Sequence, residues 1–506
     1  MDARLTFKEH TDNLKRKANK RLSLIKRLSS SDWGSDINTL RGLYIGYVRS
    51  ILDCNISAQI STSKTRQEGI DKIQNNALRM ICGGMRTTPT AAAEVMTNVE
   101  PLGLRREKAT IEIYERCKRM PSNHPAKEMV DKWTPKDRIK SQSILHHAEK
   151  IKANVGLSDN REPVKKTLSI PPNIQPPPPH IRLNLKGNEK ISKKSDLMTL
   201  KTAAEETVLS YPENWTQVYT DGSAEEATKN AGWGVWIHKP DEVTEELFDA
   251  CGTDTSNYEA EVCAMRNALD HLQKQYDDNP SSATSAVIFT DSLSALEAME
   301  SGDLDEDLLQ ITHRIERLKS THLVELTLQW IPGHIGIHGN ERADRLAKLG
   351  SQQPQPDIPA SIQSAKQKIK QTYKKKWMNN WSNGCTARTV FTNMKTTKSN
   401  DNLRKLKRKD QTAIFRLRTQ HAPLNNHLNR FNPERPPHCP LCDYPYETVE
   451  HMLLRCTKLE DLRTIHLPSS PNLENTLYGS SQQLQHTAMF YHMACARRAN
   501  AQMALY

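Results

Sequence analysis

Long apolar runs are what this 506-residue sequence most lacks. No stretch approaches the ~20 residues that span a bilayer, and the Lys- and Arg-rich N-terminus has no apolar signal-peptide core. No membrane partner is therefore expected, and the setting is read as intracellular, nucleus or cytoplasm undecided. Apolar residues are scarce throughout, at 36% hydrophobic and 6% aromatic with 27 prolines, and mean hydropathy is −0.71. Long segments should then be linker or exposed helix. A disulfide framework is missing as well: of ten cysteines, Cys54, Cys82, Cys117, Cys251 and Cys263 stand alone, as reduced core residues do, and only Cys439, Cys442 and Cys456 are grouped. Acidic excess is absent too. The net charge is +12, and the clustered cations favour a polyanionic partner, most simply nucleic acid.

The length predicts about three to four structural units. Residues 1–120 read as a helical module: Leu14, Ala18, Leu22, Ile25 and Leu28 recur at helical steps, a second helix is expected over 39–53, and a third over 68–82 stops at Gly83-Gly84. Residues 121–210 read as a Pro-rich linker, marked by Pro171-Pro172 and Pro176 to Pro179. Residues 211–352 alternate strands (216–220, 232–238, 245–251, 286–290, 324–330) with helices (258–276, 293–300, 308–320, 341–348). Residues 353–430 form a basic helical segment, in which Lys366, Lys368, Lys370, Lys374, Lys375 and Lys376 surround Tyr373, Trp377 and Trp381. The aromatics step by four and read as packing, whereas the lysines can meet phosphates. Residues 431–506 form a short tail.

Four acids stand out in the alternating region. Asp221 ends the first strand, with Gly222 permitting a tight turn after it; Glu261 lies near the start of a helix; Asp291 ends an apolar strand; Asp344 lies on a helix after Trp330-Ile331-Pro332-Gly333-His334. A lone strand-end Asp is most often a turn or cap residue. Four acids brought together repel, so a fold gathers them mainly around a cation. Tyr276-Asp277-Asp278 closes an amphipathic helix before Asn279-Pro280 and reads as a turn, not as a polymerase's paired aspartates.

In this order, with Thr290-Asp291-Ser292, Asn257-Tyr258-Glu259-Ala260-Glu261 and Gly339-Asn340-Glu341-Arg342-Ala343-Asp344, the stretch resembles type 1 ribonuclease H over about the whole length of that domain. The resemblance implies an α/β ribonuclease H-like fold, a mixed five-stranded sheet with helices, and an endonuclease that hydrolyses the RNA strand of RNA/DNA hybrids. A phosphodiester's own charge opposes attack by water; two Mg²⁺ ions about 4 Å apart, or Mn²⁺ in their place, can activate the water and stabilise the leaving oxygen. Carboxylates, not His or Cys, suit such hard cations. By resemblance Asp221 bridges both ions, Asp344 completes the ion that activates water, and Glu261 and Asp291 complete the ion facing the leaving group. His334 assists proton transfer or product release. The 2′-hydroxyls fall to the backbone at Gly222 and Ser223, to Asn257 and to the Glu261 region, and Ser256 holds a phosphate. Two departures touch substrate grip: Leu293 replaces a polar groove contact of many bacterial members, and the acidic stretch Gly302 to Asp307 replaces their basic handle.

Cys439-Pro440-Leu441-Cys442, His451 and Cys456 form a Cys-x₂-Cys-x₈-His-x₄-Cys set, the donors of a closed, structural zinc site, with His438 a competing ligand. A helix over 447–454 is expected to present His451. The tail, with Arg418-Thr419-Gln420-His421 and Leu424 before it, resembles the C-terminal part of insect-type non-LTR retrotransposon polyproteins. Arg4-Leu5-Thr6-Phe7 with His10, the segment 40–50, Ile73 to Arg79 and Thr87-Thr88-Pro89 resemble the helical region that follows the fingers and palm of their reverse transcriptases. The polymerase core is missing from the chain. Element RNA or a separate reverse transcriptase would then be partners. The reading from another class is a catalytically silent nucleic-acid-binding remnant of such a polyprotein; the intact acid set argues against it.

Overall fold

Exposed and half-buried residues alternate along the edges of the central sheet, and continuous burial marks its middle. The computed structural model describes residues 7–134, 142–164, 179–186, 196–226, 228–302, 304–322, 324–397 and 401–503. They divide into two units: Met1–Ile113, Thr134–Lys152 and Gln371–Tyr506 make one, and Tyr114–Trp133 and Ala153–Lys370 the other.

The second unit carries the sheet. Its elements are strand β1 (His180–Arg182), helix α1 (Leu197–Leu209), β2 (Thr216–Glu225), β3 (Lys229–His238), β4 (Thr244–Gly252), α2 (Asn257–Asp278), β5 (Ala286–Thr290), α3 (Leu293–Ser301), α4 (Glu306–His322), β6 (Leu326–Trp330) and α5 (His338–Ser351). The spatial order is β1-β6-β5-β2-β3-β4. Strands β2, β3 and β4 form antiparallel hairpins, while β2, β5, β6 and β1 run parallel. Every residue of β5 and β6 is buried, as parallel strands covered on both faces require; β4, at the edge, is mostly exposed or half-buried. The core packs Val218, Val235, Ile237, Met265, Leu269, Ile288, Phe289, Ile311 and Leu328 between sheet and helices. Each such side chain contributes about 1.5–3 kcal/mol by leaving water.

Helix α5 lies directly on β3. A Cβ at Gly234 would stand 2.3 Å from the Ala343 carbonyl oxygen, so only glycine lets the helix approach. Gly234 pairs with Asp221 across the β2–β3 ladder, and the close approach therefore brings the helix that carries Asp344 over the strand that carries Asp221.

Two expectations need correction here. Among the described residues the sheet has six strands rather than five, because His180–Arg182 adds to the free edge of β6, pairing Ile181 with Leu328. Residues 121–210, expected as linker, also hold helices Pro125–Lys132, Ile144–Val155 and Leu197–Leu209. Residues 171–178, with most of the proline run, lie outside the described residues, as do Arg4, Leu5 and Thr6.

The first unit is helical. Lys8–Leu28 buries Leu14, Ala18, Leu22 and Ile25. The expected second helix is a continuous run, Ile37–Leu43, a π-helical Tyr44–Arg49 and Ser50–Leu52, and the third spans Lys64–Cys82. Residues Trp381, Phe415, Leu424, Leu453 and Phe490 share one core with these helices. Tyr373, Trp377 and Trp381 are buried, and the Trp381 indole donates to the Met394 carbonyl at 2.8 Å, so this stripe is packing. Among the described residues no helix is long and apolar enough to cross a membrane.

Candidate functional site

Strand β2 does not end at Asp221. It continues to Glu225, so Gly222 is not the turn residue its sequence context suggests. Its missing side chain serves a different purpose: a Cβ there would lie 2.2 Å from the Glu261 backbone nitrogen and 2.5 Å from the Ala260 carbonyl carbon. The first turns of α2 rest on the strand at this point, and the Gly222 amide donates to the Glu261 carboxylate. The start of α2 is fixed by a capping box in which the Ser256 side chain accepts from the Glu259 amide and Glu259 reaches back to the Ser256 amide.

Asp221, Glu261 and Asp291 then converge. One carboxylate oxygen from each lies within 4.8 Å of the others. Asp291 follows the last residue of β5, which runs beside β2 with Thr220 opposite Thr290. Asp344, from α5, interacts with the Asp221 carboxyl directly, and its Oδ2 accepts from Lys348 Nζ at 2.6 Å. Asp221, Glu261 and Asp344 are all buried.

Burial and neighbouring charge push Asp221 and Glu261 toward their neutral forms. Loss of solvent, then the Asp291 charge, raises Asp221 to about 7. Glu261 is raised well above the usual carboxylate range by burial, then by Asp221 and Asp291. Two like charges about 4 Å apart at an effective dielectric near 20 repel by roughly 4 kcal/mol. Glu261 Oε2 is buried without a hydrogen-bond partner. An all-carboxylate donor set with an orphaned buried oxygen fits a hard divalent cation and does not fit a soft one.

The other expected site residues surround this group. His334 is exposed on the segment between β6 and α5, at φ +56°, a left-handed conformation rare for non-glycine residues; it is not among the three converging acids. Asn257 is exposed and Ser223 half-buried. The Ser256 hydroxyl is engaged in the cap, 2.7 Å from Glu259 Oε2, which also accepts from the Ser364 hydroxyl at 2.6 Å. Leu293 packs against the core. Sequence reasoning missed Lys348, although its position four residues after Asp344, one helical turn, was the available signal.

In the first unit Cys439, Cys442, His451 and Cys456 come together, with one donor atom from each within 4.8 Å of the rest. The Cys456 and Cys442 sulfurs are 3.7 Å apart, and Cys442 Sγ is 3.4 Å from His451 Nε2. Hydrogen bonding from Cys456, aided by the Leu441 and Cys442 amides, holds the Cys439 thiol down to about 4. Tyr444 stacks on the His451 ring at 4.5 Å. His451 lies on a π-helical turn, His451–Arg455, not on a regular helix over 447–454. His438 is outside the group, and its Nδ1 is 3.8 Å from Asp443. Sulfur-rich donors with no open position match structural zinc.

Residues 213–352 match the family model described as RNase H. The curated Ribonuclease H of Jannaschia sp. (strain CCS1) is 30% identical over 148 residues, 26% of this chain and 88% of that protein. The Ribonuclease H of Nitrosomonas eutropha is 30% identical over 147 residues, with the same coverages of 26% and 88%. A solved structure, that of LC11-RNase H1 in complex with RNA/DNA hybrid, is similar at 26% identity over 26% of this chain and 94% of that one, with a TM-score of 0.23.

Proposed function

The chain belongs to the ribonuclease H family, and from that premise we propose that it hydrolyses the RNA strand of RNA/DNA hybrids at the acid cluster of its second unit. The observation that carries this reading is the convergence of Asp221, Glu261 and Asp291 within 4.8 Å, with Glu261 Oε2 buried and unpartnered, inside the residues that match the family. Residues 211–352 are the catalytic domain in this proposal. The segments 1–120, 353–430 and 431–506 are accessories whose resemblance to a non-LTR retrotransposon polyprotein supports hybrids made by reverse transcription as the substrate.

Asp221, Glu261, Asp291 and Asp344 would hold Mg²⁺ as a pair of ions. Bound there, the metal neutralises phosphate charge and lowers the pKa of water. The chain's own part is positioning. Seating of α2 on Gly222 and of α5 on Gly234 fixes three acids from three elements before substrate arrives, so little reorganisation remains at reaction. The Gly222 and Ser223 backbone with Asn257 would meet the 2′-hydroxyls that mark the RNA strand. His334, exposed on its turn, would pass a proton to the departing 3′-oxygen or help product leave, giving 3′-hydroxyl and 5′-phosphate ends.

A cleavage assay on RNA/DNA hybrid, duplex RNA and duplex DNA with Mg²⁺ tests the reading. Hybrid-only cleavage that disappears in Asp221→Asn is expected; equal cleavage by both proteins overturns the site. We further propose a structural zinc ion at Cys439, Cys442, His451 and Cys456, supported by the convergence of one donor atom from each within 4.8 Å of the rest. Metal analysis of Cys439→Ser tests this, and an unchanged zinc content refutes it.

A further inference from the structure

The family match ends at residue 352, but the second unit continues to Lys370, and the added segment reaches back to one loop. That loop joins β4 to α2 through residues 253–256, with exposed Asn257 opening the helix. The Gly252 amide donates to Gln355 Oε1 at 2.9 Å. Ile358 fills the space beside Gly252, where φ is +115° and a Cβ would lie 2.6 Å from Ile358 Cγ1. Ser364 Oγ donates to Glu259 Oε2 at 2.6 Å, and Lys368 Nζ donates to Asp254 Oδ1 at 2.5 Å.

The segment is itself anchored, so it holds the loop rather than follows it. The Ala360 amide donates to the Asn160 carbonyl at 3.0 Å, and the Glu162 amide donates to the Ala360 carbonyl at 3.0 Å. The Asn160 side chain adds a bond to Asp357 at 2.9 Å. Ser364 is 2% exposed, and its amide donates to Ser361 Oγ at 3.0 Å.

Both polar contacts fall on groups that set the loop. Glu259 Oε2 collects three donors, the Ser256 amide, the Ser256 hydroxyl and the Ser364 hydroxyl, and only Ser364 comes from outside the cap. Asp254 stands two residues before Ser256, where a bare carboxylate would repel the phosphate assigned to Ser256. Lys368 neutralises it.

We propose that residues 355–368 brace the substrate loop, with Ser364 and Lys368 as positioning residues that keep Ser256 and Asn257 set for the nucleic-acid strand. This rests on the hydrolytic reading above, which assigns substrate contacts to that loop. Glu261 is held separately, by the close seat of α2 on Gly222 and by the Gly222 amide. The brace therefore governs substrate grip and leaves the chemical step alone.

Two readouts on the full chain test this: hydrogen exchange of the amides of residues 253–259, and the kinetics of hybrid cleavage at several salt concentrations. Lys368→Gln should speed exchange and raise KM about tenfold at low salt with kcat unchanged, and the rise should shrink as salt screens Asp254. Asp254→Asn/Lys368→Gln should return KM to near the wild-type value. Ser364→Ala removes one donor of three, so it should speed exchange of the same amides and raise KM by about threefold. Exchange unchanged in both variants overturns the brace. Faster exchange with KM unmoved, or with kcat lowered instead, overturns its role in substrate grip. Absence of cleavage in the wild type defeats the hydrolytic reading alone, because exchange still reads the brace and fluorescence anisotropy of a labelled hybrid in chelator still reads the grip. Should Ser364→Ala fail to fold, Lys368→Gln, at a side chain 29% exposed, carries the test.

Discussion

The acid cluster of one unit and the Cys/His cluster of the other solve opposite problems with metal donors held close together. Among the acids, burial and mutual repulsion drive Asp221 up to about 7 and Glu261 well above its usual range, so both hold a proton more tightly than free carboxylic acids do. Among the thiols, hydrogen bonding from Cys456 and backbone amides holds Cys439 down to about 4, while the same bond pushes the Cys456 thiol up. The difference lies in the donors. A thiol hydrogen-bonds to the thiolate beside it, and Asp221 and Glu261 likewise share a hydrogen bond, but Glu261 Oε2 is left without a donor. An all-carboxylate set thus suits a hard divalent ion, and a sulfur-rich set suits a softer one such as zinc.

The strongest way to break this comparison is to remove its catalytic side. Asp221→Asn should reduce hybrid cleavage by roughly a thousandfold or more while the protein stays folded, since an amide relieves repulsion but cannot bridge cations. Cys439→Ser should act in the opposite sense: zinc is lost and the calorimetric Tm of the helical unit falls by roughly 10 °C or more. Gly222→Ala comes next. Its methyl group must displace the start of α2, costing about 1–3 kcal/mol in denaturant unfolding and lowering kcat as Glu261 moves.

A smaller effect concerns pH. Asp221 in the folded protein is raised to about 7 from an ordinary 3.8, so between those values the folded state keeps a proton that the unfolded chain has released. That contribution to metal-free stability is present at low pH and is lost as pH rises through the window. The Tm difference between Mg²⁺ and chelator should therefore widen from pH 4 to 7 and level off above. The smallest expected effect is that of Lys348→Met. Its side chain is 57% exposed, so unfolding should change by under ~1 kcal/mol, while calorimetric Mg²⁺ affinity rises a few-fold as a competing cation disappears.

Much of the sheet was legible because its periodicities are clean. The strand expected over 286–290 is Ala286–Thr290, and the helix expected over 258–276 is Asn257–Asp278. The acids were legible through their order and spacing. Gly222 was misread because a glycine that permits a turn and one that permits a helix to touch a strand look alike in sequence; only the position of Glu261 above it separates them. Strand β1 was missed because three residues, His180–Arg182, are too few to show alternation and their pairing is fixed by β6.

That short strand bears on how the catalytic domain behaves when it is cut free. Residues 213–352 match the family, yet His180–Arg182 lies outside that span and covers the outer edge of β6, a strand buried along its whole length. The opposite edge, β4, protects itself with Glu245, Glu246 and Asp249; β6, Leu-Thr-Leu-Gln-Trp, carries no charge. A fragment that begins at residue 213 would present an uncharged strand with unpaired amides and carbonyls to its neighbours, the setting in which sheets join edge to edge into aggregates. Solubility of the isolated domain therefore depends on starting upstream of His180.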